Sequence, residues 1–194
     1  MAATFRIKGI SYKHAVEYYE ANVPGGMAAL KAGLSDSSAA FFDQPFTSSG
    51  WYDIAPMRDI DVIAARITGQ PFDRFVKEIA RWTARREFLG VYKLFLKMLR
   101  PATIAQWVPR LGAQYYDFGS VSLVESTPKS VVFRMSGMPA EFADWLQWGA
   151  NEYVRVALEL NGCSGIQLNN EALSPDGDKG GVPLVRRDVI VRWE

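Results

Sequence analysis

The chain has 194 residues, 48% of them hydrophobic and 22% charged, with a formal net charge of +1. That is enough for one domain with its own core, holds no apolar run near the ~18 residues of a membrane span, and is too balanced for wholesale electrostatic binding to nucleic acid. A single cysteine and a single histidine exclude an internal disulfide and are too few for a zinc centre, and with no leader-type apolar stretch over Met1–Gly9 the chain is expected in the cytoplasm. In chain order, Ser11–Asn22 predicts a first helix with Ala15, Val16 and Tyr19 on one side, stopped by Pro24-Gly25-Gly26. Short helices follow over Met27–Ala32 and Ser37–Phe42, the latter after Asp36, and Gln44–Gly50 reads as a turn-rich connector. Asp53–Thr68 and Phe72–Leu89 are further helices, the second able to run on through Gly90 to Leu99, and Pro101 opens another towards Phe118.

From residue 119 the pattern changes. Ser120–Glu125 and Ser130–Ser136 read as strands, Pro139–Leu160 as a helix, and Gly165–Asn170 and Leu184–Trp193 as two more strands. Along the helix Phe142, Trp145, Leu146, Gly149, Tyr153, Val156, Ala157 and Leu160 share one side, with Gln147 and Asn151 among the residues expected on the others. Ser174–Gly181 reads as a flexible hairpin connection, because its acids lack the spacing of a calcium loop and its glycines that of a phosphate loop. The expected fold is a single α+β domain over 1–194. A helical part, 1–118, packs on a small antiparallel sheet formed by a β-β-α-β-β part, 119–194.

The catalytic inventory is thin. His14 has no nucleophile near it in sequence, and Cys163 sits in the helix-to-strand turn Asn161–Gly165, so neither marks a reactive centre. Arg86, Lys93, Lys97 and Arg100 form a basic stripe opposite Ala84, Phe88, Val91, Phe95 and Met98, as expected of a solvated outer face or of one that meets an anionic partner.

Several short signatures carry a resemblance. Trp51-Tyr52 after a turn, Phe72–Ala80 leading into Tyr92-Lys93, Pro101, Pro109-Arg110-Leu111 and Tyr115-Tyr116-Asp117-Phe118-Gly119 resemble a family of uncharacterised proteins abundant in myxobacteria. Tyr115 through Glu171 is similar to the superfamily of 4-vinyl-reductase-type domains, haem-nitric-oxide-binding domains and Bet3-like tethering subunits. The resemblance implies a buried ligand pocket between helices and sheet, and dimer formation. It carries over neither metal nor haem. Glu171 is kept but Ser174 stands where the metal-binding relatives place a cysteine, and the region Asp53–Leu160 holds neither an axial histidine nor a Tyr-x-Ser-x-Arg run.

What remains is an aromatic pocket without a cofactor. Trp51, Tyr52, Trp82, Tyr92, Trp107, Tyr115, Trp145 and Trp148 are the candidate ligand-binding residues, since Trp and Tyr offer stiff apolar faces with polar tips. Trp145 and Trp148, three positions apart, are expected to form one wall. The sequence thus reads as a non-catalytic sensory or adaptor domain for a small apolar or aromatic ligand, signalling through a homodimer interface or a protein partner. A filled-core interaction module and, less well supported, a small-molecule enzyme are its alternatives.

Overall fold

The computed structural model describes residues 4–89 and 99–194. Tyr92, Lys93, Lys97 and the extension of the fifth helix beyond Leu89 lie outside the described residues.

The N-terminal part holds β1 (Arg6–Lys8), α1 (Gly9–Asn22), α2 (Gly26–Ala32), α3 (Asp36–Phe41), β2 (Trp51–Asp53), α4 (Ala55–Ile67), α5 (Phe72–Leu89) and α6 (Pro101–Tyr115). The C-terminal part holds β3 (Ser120–Ser126), β4 (Ser130–Pro139), a single 3-10 turn (Ala140–Phe142), α7 (Ala143–Asn161), β5 (Gln167–Asn170), β6 (Ser174–Lys179) and β7 (Val182–Arg192). This is the expected α+β architecture with two corrections.

First, the N-terminal part is not purely helical. β1 pairs antiparallel with β2, Ile7 opposite Tyr52. The Arg6 backbone N–H and guanidinium both bind the Asp117 carboxylate, the backbone N–H at 2.8 Å, and Ile7 bridges to Tyr116. The small ribbon therefore ties the end of α6 to the chain start. Second, Ser174–Lys179 is a strand. It pairs with the Val182–Arg186 end of β7 while β5 pairs with the Val189–Arg192 end, so the C-terminal part is β-β-α-β-β-β. Pro175 fits because β6 lies along an edge, where a missing N–H breaks no ladder.

The five-stranded sheet runs β3-β4-β7-β5 with β6 beside β7, all antiparallel. α7 is covered on more than one side. Trp145 and Leu146 join the helical core of α1, α4 and α5; Val156 and Ala157 pack with Ala84, Phe88 and Ile104; Leu158 packs on Val131, Phe133, Val189 and Val191 of the sheet. Hence Gln147 and Leu158, off the predicted apolar side, are buried as well. α5 shows the matching stripe, with Phe75, Val76, Ile79, Ala80, Thr83 and Ala84 buried in successive i, i+4 pairs. Around Tyr12, the rings of Phe41, Phe42, Phe46 and Tyr52 close a second aromatic knot, Phe46 stacked at 4.6 Å.

Candidate functional site

Between the helices and the sheet lies a cavity of about 270 Å³. α5 gives it Val76, Ile79, Ala80, Thr83 and Phe88; α6 gives Ile104, Trp107, Leu111, Gly112 and Tyr115; α7 gives Trp145 to Gln147 and Gly149 to Asn151. The floor is β4. Phe133 and Met135 line it by ordinary alternation, and the bulge between Met135 and Met138, with Gly137 at φ +67°, turns Ser136 and Met138 into it as well.

Two helix glycines keep this space. Gly149 lies mid-helix without a positive φ, where glycine costs about 1 kcal/mol relative to alanine. A Cβ there would meet only the Ala80 Cβ, at 4.0 Å. At Gly112 a Cβ would come within 3.3 Å of Val121 Cγ2.

Polar groups sit in two sets. Asp61 on α4 is buried and accepts hydrogen bonds from Tyr19 Oη at 2.6 Å and Trp145 Nε1 at 2.9 Å. Burial pushes its carboxyl up to about 6 against the pull of those two donors. The other set centres on Glu87, which accepts from Tyr115 Oη at 2.6 Å and Tyr153 Oη at 3.3 Å. His14 Nδ1 lies 3.0 Å from the same carboxylate, within ion-pair distance but not aligned as a hydrogen bond. Burial, with the Glu87 charge beside it, holds the Tyr153 phenol well above its ordinary value and Tyr116 at about 12. Gln147 spends Nε2 on Asn151 Oδ1 at 2.8 Å and leaves Oε1 buried with no partner.

Of the residues the sequence singled out, Trp107, Tyr115 and Trp145 line the cavity. Trp51 stacks under the Lys8 ammonium in β2, and Tyr52 accepts the Thr47 N–H at 2.9 Å beside Phe46. Trp82 packs on Tyr18 and beneath Arg86, and that arginine also pairs with Glu17 at 2.9 Å. Trp148 packs on Phe72 near Lys77. The expected Trp145–Trp148 wall is therefore split, because the cavity edge falls between two positions some 60° apart on the helix. Sequence reasoning missed Asp61, Tyr19, Gln147 and Tyr153 as wall groups. Of these, Tyr19 and Tyr153 carried a signal, their places on the apolar sides of α1 and α7; Asp61 and Gln147 carried none.

No protein-family profile matches the chain, and no curated protein does. Solved structures do. The chain is similar to the Fe(II) unliganded H-NOX protein from K. algicida, with a TM-score of 0.67, 13% identity and 96% of each chain covered; a single-residue variant of that protein gives 0.69 at the same identity and coverage. An oxygen-binding H-NOX domain related to soluble guanylate cyclases, solved as its oxygen complex, gives 0.62 at 13% identity over 96% of this chain and 92% of that one. The chain has the H-NOX fold. That likeness covers architecture, and the chemistry of the site has to be judged on its own residues.

The residues of the cavity do not fit a haem. The chain's one histidine, His14, is not among its lining residues, and Cys163 packs against the sheet cluster. A tyrosinate ligand is disfavoured at Tyr19, Tyr116 and Tyr153, whose phenols burial pushes up. Two propionates would meet, among the described lining residues, no arginine or lysine and the carboxyl of Asp61.

Proposed function

We propose that this chain is a haem-independent small-molecule-binding sensory domain on the H-NOX fold. Its ligand is a small apolar or aromatic molecule held between the helical part and the sheet. The observation that carries the reading is the cavity itself. Evenly packed interiors hold few voids beyond the size of a water, whereas this one has about 270 Å³, just below the ~300–1,000 Å³ of typical ligand sites. It is kept open by a mid-helix glycine that a larger residue would replace at a gain in helix propensity. Apolar side chains dominate its wall, and its polar groups are few and fixed, as orientation of a small ligand requires. Trp107, Tyr115 and Trp145 are the binding residues of this reading, and occupancy is passed to a protein partner or a homodimer interface in the cytoplasm. The walls bring no paired acid and base to persuasive spacing, which supports binding over catalysis.

The test fills the space. Gly149→Leu extends a side chain towards the cavity while improving helix propensity. It is expected to keep or raise Tm and to abolish binding of a neutral apolar probe such as N-phenyl-1-naphthylamine, read by its fluorescence. Native mass spectrometry of gently purified wild type is expected to show a retained small molecule that the variant lacks. Equal probe binding by both proteins sinks the proposal.

A further inference from the structure

Among its described residues the wall of the cavity carries one formal charge and no counter-charge. Among its described lining residues Asp61 is the only acid, and there is no lysine, arginine or histidine. Its two partners, the Tyr19 hydroxyl and the Trp145 indole N–H, are neutral donors. A buried carboxylate satisfied only by neutral donors still lacks the cation that would offset its lost hydration. The second observation is independent of the first. Gln147 is 1% exposed and lines the same cavity with Oε1 unpartnered. Several donors around the wall are already engaged: Thr83 Oγ1 on the Ile79 carbonyl, Tyr115 and Tyr153 on Glu87, and Gln147 Nε2 on Asn151. Around Asp61 and Gln147 the site therefore offers acceptor oxygens and one negative charge, beside the Tyr19 and Trp145 rings.

Resting on the sensory reading above, we propose that the ligand is a small aromatic or apolar amine bound as its ammonium ion, with Asp61 as counter-ion. An ammonium group supplies three N–H donors and no acceptor, the complement of this wall. A carboxylate or phosphate ligand would face like charge with no counter-charge among the described lining residues.

The test compares three probes of one shape, phenethylamine, 2-phenylethanol and 3-phenylpropionate, by calorimetric titration of the full chain at about pH 7.5. The amine is expected to bind about tenfold tighter than the alcohol, as one charge-assisted contact warrants, with the propionate weakest. Asp61→Asn is expected to erase the amine's advantage and leave alcohol binding in place. If that variant fails to fold, the wild-type pH profile decides. The groups facing Asp61, Tyr19 from α1 and Trp145 from α7, stay neutral across the acid range. Amine affinity is therefore expected to fall about tenfold from pH 7.5 to pH 5 as a carboxyl near 6 takes up its proton, with alcohol affinity flat. Amine and alcohol binding alike, or the propionate binding tightest, overturns the amine assignment while leaving a binding cavity standing. Failure of all three probes at millimolar concentration overturns the cavity reading as well.

Discussion

Asp61 makes a sharp prediction about stability. Its carboxyl is held at about 6 against an ordinary value of 3.8, because burial penalises the anion by more than Tyr19 and Trp145 recover. The sign follows from proton counting. Between those two values the folded chain binds more protons than the unfolded chain, so stability falls as pH rises through the window and levels off above it. The full span is about 3 kcal/mol, of which about 2 kcal/mol falls between pH 4.5 and pH 7. Asp61→Asn removes the ionisation and keeps the geometry: its carbonyl accepts from Trp145, and its amide donates to the Tyr19 oxygen. Urea unfolding at a series of pH values reads the difference between the two proteins, which cancels the titration of every other group. The variant is expected to gain on wild type by about 2 kcal/mol over that range, and to be the more stable protein at pH 7. Parallel curves would refute the claim that a buried carboxylate is carried at a cost.

Three further outcomes follow from the geometry. Trp145→Ala is expected to lose probe binding and to destabilise the fold by about 3–5 kcal/mol, since it opens the wall and frees Asp61 Oδ2, whereas Trp148→Ala keeps binding within twofold in the same fluorescence titration. Glu87→Ala removes the acceptor of the Tyr115 and Tyr153 hydroxyls and is expected to cost about 2 kcal/mol or more in urea unfolding, with Glu87→Gln recovering most of it. Gly119 and Gly69 both stand at positive φ, +65° and +67°, but a Cβ on Gly119 would lie 2.8 Å from the Ser136 carbonyl oxygen while one on Gly69 meets nothing within 4 Å. Gly69→Ala should therefore cost about 1 kcal/mol in thermal or urea unfolding, and Gly119→Ala clearly more.

The parts of this architecture legible in sequence are those written in local periodicity. The α5 stripe and the apolar side of α7 follow from spacing alone, and so do four of the five strands of the sheet. Short elements escape such reading: Arg6–Lys8 and Trp51–Asp53 are three residues each, and they become strands only because the 42 residues of intervening chain bring them into register. β6 has the composition of a loop, Ser-Pro-Asp-Gly-Asp-Lys, and is a strand because β7 offers a free edge and Gly137 donates its N–H to Asp176 Oδ2 at 2.7 Å. The site is less legible still. Asp61 meets Tyr19 from 42 positions away and Trp145 from 84, so no window on either side of it hints at burial. Gln147 looks like a surface residue of an amphipathic helix until the sheet covers that side. Aromatic content narrowed the choice to eight residues, but aromatic rings pack equally well in a knot such as that around Tyr12 as around a cavity, and only tertiary structure separates the two.

The same physics explains how one fold can host different chemistries. The H-NOX scaffold is set by backbone pairing and apolar stripes, which many sequences satisfy, and 13% identity suffices to preserve it over 96% of the chain. The centre answers to other constraints, for each wall group must be satisfied by protein or by ligand. Here the wall has no imidazole, no basic side chain among its described residues, and a carboxylate placed against an indole N–H. If Asp61 is the counter-ion proposed above, such a site is expected to discriminate by charge before shape, since the wrong sign costs more than a missing methylene. On the proposal made above, selection among small aromatic molecules turns on whether they carry a proton-bearing nitrogen.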